Sequence, residues 1–167
     1  MKRRWMQAGS LCIGICAVLL FSSCQENVPE TIPESNGYDL IAANETEQTA
    51  ITETISTYLQ ALEHKSYSEL QLCTSSEFPL CQNETAFYDV TTELESASLE
   101  KIDFENFQRQ GDHVLVTVDY TLTYTGSFTD IDGSSQAPGS YSHKELFGLT
   151  MTDGSYLIDS AVKTGAG

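Results

Sequence analysis

The stretch Tyr141–Gly165, YSHKELFGLTMTDGSYLIDSAVKTG, decides the fold. Apolar residues alternate on both sides of Asp153-Gly154, a pair that suits a type I′ turn between two antiparallel strands. Such a turn fixes a register. With Thr152 opposite Ser155, Met151 faces Tyr156, Leu149 faces Ile158, Phe147 faces Ser160 and Glu145 faces Val162.

Upstream, His113–Thr125 (HVLVTVDYTLTYT) also has a period of two. Val114, Val116, Val118, Tyr120, Leu122 and Tyr124 share one face, with mostly Thr and Asp on the other. Matching apolar faces sets Val114 against Met151, Val116 against Leu149, Val118 against Phe147 and Tyr120 against Glu145. A three-residue turn at Gln110-Gly111-Asp112 then brings Phe104 beside Val118 and Ile102 beside Tyr120. The result is a curved antiparallel sheet of about four strands.

Before the sheet the period is helical. Ile51, Ile55, Tyr58, Leu59 and Leu62 form one stripe, Asn44 with Glu47 starts the helix, and His64 and Lys65 suit its end. Ser66-Tyr67-Ser68-Glu69 is a capping box for a short second helix through Leu70 and Cys73. Asn83–Ser96 places Phe87, Val90 and Leu94 on one side of a third. N-terminal helices packed on one face of an antiparallel sheet make an α+β domain over residues 46–167.

The helical stretch AITETISTYLQALEHKSYSEL and the closing hairpin together resemble the nuclear transport factor 2-like superfamily, also called cystatin-like, and its small secreted lipoprotein members. The resemblance covers roughly Thr46–Lys163 and implies a sheet wrapped around the long helix as a cone whose open end can hold a ligand. Ketosteroid isomerase, of that superfamily, keeps an Asp base there beside Tyr and protonated Asp donors. No stretch of this chain reproduces those motifs residue by residue.

What the register supplies is a polar cluster on the inner face, at one end: Tyr120, Tyr124, Tyr141, His143 and Glu145. These five are the candidate pocket. Glu145, desolvated beside Val162 and Tyr120, is the candidate proton acceptor, His143 a shuttle and Tyr120 or Tyr124 a donor. The simpler reading is that polar groups at the wide end of a cone reach water. His64 and His113 sit at element ends and carry no site. Asp130-Ile131-Asp132-Gly133 lacks the twelfth-position Glu of a calcium loop and reads as a turn. Asn44-Glu45-Thr46 and Asn83-Glu84-Thr85 match the glycosylation pattern, incidental in a bacterial lipoprotein. No cofactor or metal motif is present.

At the N-terminus, Lys2, Arg3 and Arg4 precede an apolar run from Leu11 to Phe21 that is too short to cross ~30 Å of hydrocarbon at ~1.5 Å per residue. It reads as a secretory signal peptide over residues 1–23. Phe21-Ser22-Ser23-Cys24 resembles the lipobox of bacterial lipoproteins, with Phe where Leu is commoner. That resemblance implies a diacylglyceryl group on Cys24, anchoring the chain to the outside of the bacterial cell membrane. Residues 24–45, with two prolines and several acids, read as an acidic tether averaging ~25 Å end to end.

Cleavage removes three cations and no acid. The remainder carries 24 acids against 8 − 3 = 5 Lys or Arg, a net charge of −19 that repels nucleic acid. Cys12 and Cys16 leave with the signal, so Cys73 and Cys81 remain. They form either a disulfide closing a nine-residue loop, stabilising by ~2–3 kcal/mol, or two buried free thiols.

The expected function is that of a lipid-anchored extracytoplasmic module, not an enzyme, that binds a small molecule or a protein partner. One alternative is an isomerase- or dehydratase-like enzyme built on Glu145, which demands an enclosed cavity of several hundred Å³. Another is a homodimeric scaffold using Leu115, Leu146, Leu157 and Ala161 on the outer sheet face.

Overall fold

A computed structural model describes residues 39–130 and 133–164. The signal peptide, Cys24, most of the tether, and Ile131 and Asp132 lie outside the described residues. In chain order the elements are β1 (Asp39–Leu40), α1 (Glu45–Glu63), α2 (Tyr67–Cys73), α3 (Pro79–Gln82), α4 (Glu84–Thr91), β2 (Leu94–Gln110), β3 (His113–Tyr124), β4 (Phe128–Thr129), β5 (Ser135–Gln136), β6 (Gly139–Thr152) and β7 (Ser155–Lys163).

The first helix start forms its full capping box, and at the second only the Ser66 half is made, the Glu69 carboxylate lying against His64 Nδ1 at 3.0 Å. Asn44 accepts from the Glu47 amide at 3.0 Å, and the Glu47 carboxylate accepts from the Asn44 amide at 3.2 Å. Ser66 Oγ accepts from the Glu69 amide. Between them, Lys65 takes a left-handed φ of 55°, reversing the chain so that α2 folds back on α1. The stripe Ile51, Ile55, Tyr58, Leu59 and Leu62 is buried along α1.

The third helix is shorter than its sequence suggests. α4 ends at Thr91, and Leu94, expected on the helix, opens β2. Two glutamates and three serines or threonines among residues 92–98 leave no helical stripe to extend.

The main sheet has five strands in the order β1-β2-β3-β6-β7, with a separate β4-β5 ribbon. The extra edge strand is β1, where Asp39 and Leu40 pair with Arg109 and Gln108. Sheet pairing therefore begins inside the stretch read as tether. The inner face meets the helices through Val114, Val116, Val118, Phe147, Leu149 and Ile158, all fully buried.

Asp153 and Gly154 have φ of 52° and 85°, both positive as a type I′ turn demands, and Met151 pairs with Tyr156 and Leu149 with Ile158 as expected. Past Ile158 the expected register fails. A β-bulge at Asp159 inserts one residue, so Gly148 pairs with Ser160, Phe147 with Ala161 and Glu145 with Lys163, not with Val162. The extra residue is held on the outer face, where Thr150 Oγ1 donates to the Asp159 carboxylate and His113 Nε2 lies 3.6 Å from it. One consequence is that Ala161, expected on the outer face, packs against the core, and Val162 is exposed instead.

The β3–β6 register is shifted by two from the expected one: Val114 pairs with Leu149, Val116 with Phe147, Val118 with Glu145 and Tyr120 with His143. Face matching fixes only the parity of a register, and a slip of two keeps every side chain on its face. The choice among even registers comes from the strand ends, where the Met151 amide donates to Asp112 C=O at 3.0 Å. The β2–β3 turn has two residues rather than three, with Gly111 at φ 61°, and pairs Gln110 with His113. Bulges along β2 then bring Ile102 opposite Val118 and Leu99 opposite Tyr120, and leave Phe104 inside the irregular stretch between Asp103 and Gln108.

Cys73 and Cys81 are free thiols, so the alternative of a disulfide between them is not what the structure contains. The Cys73 thiol is buried against the Leu70 carbonyl at 3.3 Å, and burial pushes it up to about 12.

Candidate functional site

The candidate site lies where the far end of β3, the start of β6 and the end of β7 face α1. Period two on β3 and β6 points Tyr120 and Glu145 to the same face, and their strands are direct neighbours. The Tyr120 hydroxyl donates to Glu145 Oε2 at 2.9 Å. His143, directly opposite Tyr120, lies flat on its ring at 4.8 Å with planes 7° apart. That stacking fixes the imidazole so that Nδ1 stands 3.5 Å from Glu145 Oε1. Tyr120 and Glu145 are both buried, and His143 Nε2 is a buried polar atom with no hydrogen-bond partner.

Tyr124 stacks on Phe128 at 3.5 Å, and Tyr141 meets both rings edge-on. The Tyr141 hydroxyl turns away to donate to Ala137 C=O at 2.7 Å. Four of the five expected pocket residues therefore line one cavity, and Tyr141 buttresses its wall from behind.

The cavity has a volume of about 290 Å³, at the lower edge of the ~300–1,000 Å³ range of small-molecule sites. Its floor is Tyr58 and Leu62 of α1, its roof Phe78 and Leu80, and its mouth Asp130 and Lys163. Lys163 Nζ is 3.2 Å from Asp130 Oδ2. Sequence reasoning placed Tyr58 in the core stripe and missed Phe128, Asp130 and Lys163. Tyr58 had a signal, being the lone hydroxyl in an aliphatic stripe. Asp130 had none: the Gly133 amide donates to its C=O at 2.8 Å, and the β4-β5 ribbon carries it to the mouth. Lys163 reaches the cavity only because of the bulge.

Burial pushes the Tyr58, Tyr120 and Tyr124 hydroxyls well above their ordinary range. The neighbouring Glu145 charge adds to the effect at Tyr58 and Tyr120, and Asp130 adds to it at Tyr124. These tyrosines stay neutral donors. The arrangement can therefore seat an apolar body among aromatic rings and offer it one carboxylate flanked by a hydroxyl and an imidazole.

This arrangement of helices on an antiparallel sheet recurs in solved structures. A protein of unknown function from Nostoc punctiforme, with a cystatin-like fold, superposes with a TM-score of 0.52 at 9% identity over 72% of this chain and 92% of that one. The fold is cystatin-like. A nuclear transport factor 2-like superfamily protein from Salmonella enterica gives 0.51 at 14% identity, covering 75% of this chain and 94% of its own. A candidate dehydratase of the nuclear transport factor 2-like family from Streptomyces avermitilis gives 0.50 at 11% identity over 74% of this chain and 100% of that one. No family profile matches the chain. No curated protein matches it either. At such identities the cystatin-like likeness establishes the fold and leaves the role to the site.

Among the described residues, no three His, Cys, Asp or Glu side chains gather as metal ligands, and no helix is long and apolar enough to cross a membrane.

Proposed function

We propose that the protein is a lipid-anchored, extracytoplasmic module that binds a small molecule in the cavity of its cystatin-like domain. The observation that carries the reading is the cavity of about 290 Å³, walled by rings and furnished at one end with Tyr120, His143 and Glu145. A sheet serving only as scaffold has no need of an open space beside a buried carboxylate, since empty apolar volume costs stability. The apolar-plus-few-polar composition is what a specific ligand requires.

The location rests on the lipobox-like Phe21–Cys24 and the cationic, apolar stretch before it. Native mass spectrometry of protein extracted under mild conditions tests both halves. A diacylglyceryl mass on the Cys24 peptide supports the anchor. A small-molecule adduct present on the native chain and absent after Ala161→Phe, which fills the cavity, supports the binding site. An unmodified Cys24 defeats the first, and an adduct indifferent to the filling defeats the second.

One observation favours an enzymatic reading as the second choice. Glu145 against His143 Nδ1, with Tyr120 as a neutral donor, is an arrangement able to move a proton. The Streptomyces avermitilis neighbour, described as a candidate dehydratase, lends support to this second reading. Under this reading Glu145→Gln abolishes turnover of a bound compound. Under the binding reading it leaves no turnover to lose.

A further inference from the structure

Resting on the reading of the cavity as a binding site, we infer that its ligand is a small organic cation, a protonated amine carried on a compact apolar body.

The charge inventory of the lining points this way. Among the described residues, the charged side chains of the lining are Glu145, Asp130 and Lys163. Lys163 directs its ammonium to Asp130 at 3.2 Å, so those two offset one another at the mouth. Glu145 lies deeper, its side chain only 10% exposed, with a hydroxyl at 2.9 Å and an imidazole nitrogen at 3.5 Å as its neighbours. Among these residues two carboxylates face one ammonium. A carboxylate held away from water gains most from a charged partner, and the cavity leaves room for that partner to arrive with the ligand.

The walls favour the same sign. Tyr58, Tyr120, Tyr124 and Phe128 present aromatic rings around the space, and an ammonium within ~6 Å of a ring face is attracted by the ring's quadrupole. The chain's net charge of −16 draws cations toward the mouth and turns anions away. An anionic ligand would also meet Glu145 directly. The small volume limits the apolar body to about the size of a single ring with a short arm.

The test is calorimetric titration of the full chain in nonionic micelles, against micelles alone, with phenylethylamine, phenylethanol and phenylpropionate. The amine is expected to bind at least roughly tenfold more tightly than the alcohol, and the acid not at all. Glu145→Gln is expected to weaken the amine at least roughly tenfold and the alcohol by far less. Near-UV circular dichroism establishes that the variant is folded, and Glu145→Asp, which keeps the charge, should retain part of the preference. Equal or tighter binding of the alcohol or acid overturns the cation while leaving the cavity as a binding site. A Glu145→Gln effect equal on amine and alcohol does the same. Silence from the amine also overturns the inference, and the binding-site reading falls with it when the alcohol is silent too.

Discussion

The Tyr120 hydroxyl and the Glu145 carboxylate, on adjacent strands and 25 residues apart in sequence, meet at 2.9 Å in a buried setting. Removing the hydroxyl strands a charged acceptor. Tyr120→Phe is therefore expected to destabilise the domain by about 1–3 kcal/mol, the cost of leaving such a group short of a donor. Urea unfolding should show a lower midpoint with an unchanged slope. An unchanged midpoint contradicts the bond's contribution.

Alkaline pH should be a specific weakness. Tyr58, Tyr120 and Tyr124 are raised above their ordinary value of 10.0 in the folded protein. An unfolded chain thus releases these protons at lower pH than the folded one does. The stabilisation is fully present below pH 10 and is lost as pH rises beyond it. Tyrosinate absorbance should show these side chains resisting ionisation until the domain unfolds, in one cooperative step. Independent, non-cooperative titration of every tyrosine near 10 would contradict their burial.

Glu47 joins helix to sheet. Its carboxylate caps the Asn44 amide, pairs with Arg109 of β2 and accepts from the Tyr156 hydroxyl of β7 at 3.2 Å. Glu47→Ala should cost about 2 kcal/mol, roughly one from the cap and up to one from the half-buried ion pair. Thermal unfolding checks the sum, and a double-mutant cycle with Arg109→Ala isolates the pair.

Gly148 tolerates no side chain. A Cβ placed there would stand 2.6 Å from Ser160 Oγ and 3.2 Å from a His113 ring carbon. Gly148→Ala should destabilise by about 1–3 kcal/mol through overpacking, and adding Ser160→Ala should recover part of the loss. Absence of recovery in the double variant would place the strain elsewhere.

The elements most legible in the sequence are those whose signals are local. Asn44 with Glu47, Ser66 with Glu69, and Asp153-Gly154 each specify a start or a turn by bonds spanning a few residues. The inner faces of β3 and β6 were legible for the same reason, and with them four of the five pocket residues.

Away from the Asp153-Gly154 hairpin, registers between strands were not legible. The β3–β6 connection over residues 125–138 is too long for a local turn rule to choose among even slips, so Tyr120 was matched to Glu145 when its direct partner is His143. The bulge escaped for a different reason. Ser160 and Ala161 are both small, so the hydrophobic pattern of β7 looks nearly the same with or without an inserted residue. Asp130 reached the mouth through a ribbon of two-residue strands, too short to leave a period.

That single inserted residue at Asp159 has a reach beyond local geometry. Were Asp159 drawn into regular pairing opposite Gly148, the hairpin and the core through Ile158 would survive, while Val162 would turn inward opposite Glu145 and Ala161 and Lys163 would swing to the opposite side. The chemical character of the interior thus depends on whether β7 takes up its slack at one point, a choice that leaves the scaffold intact. One set of residues can line the space in two ways without a single substitution.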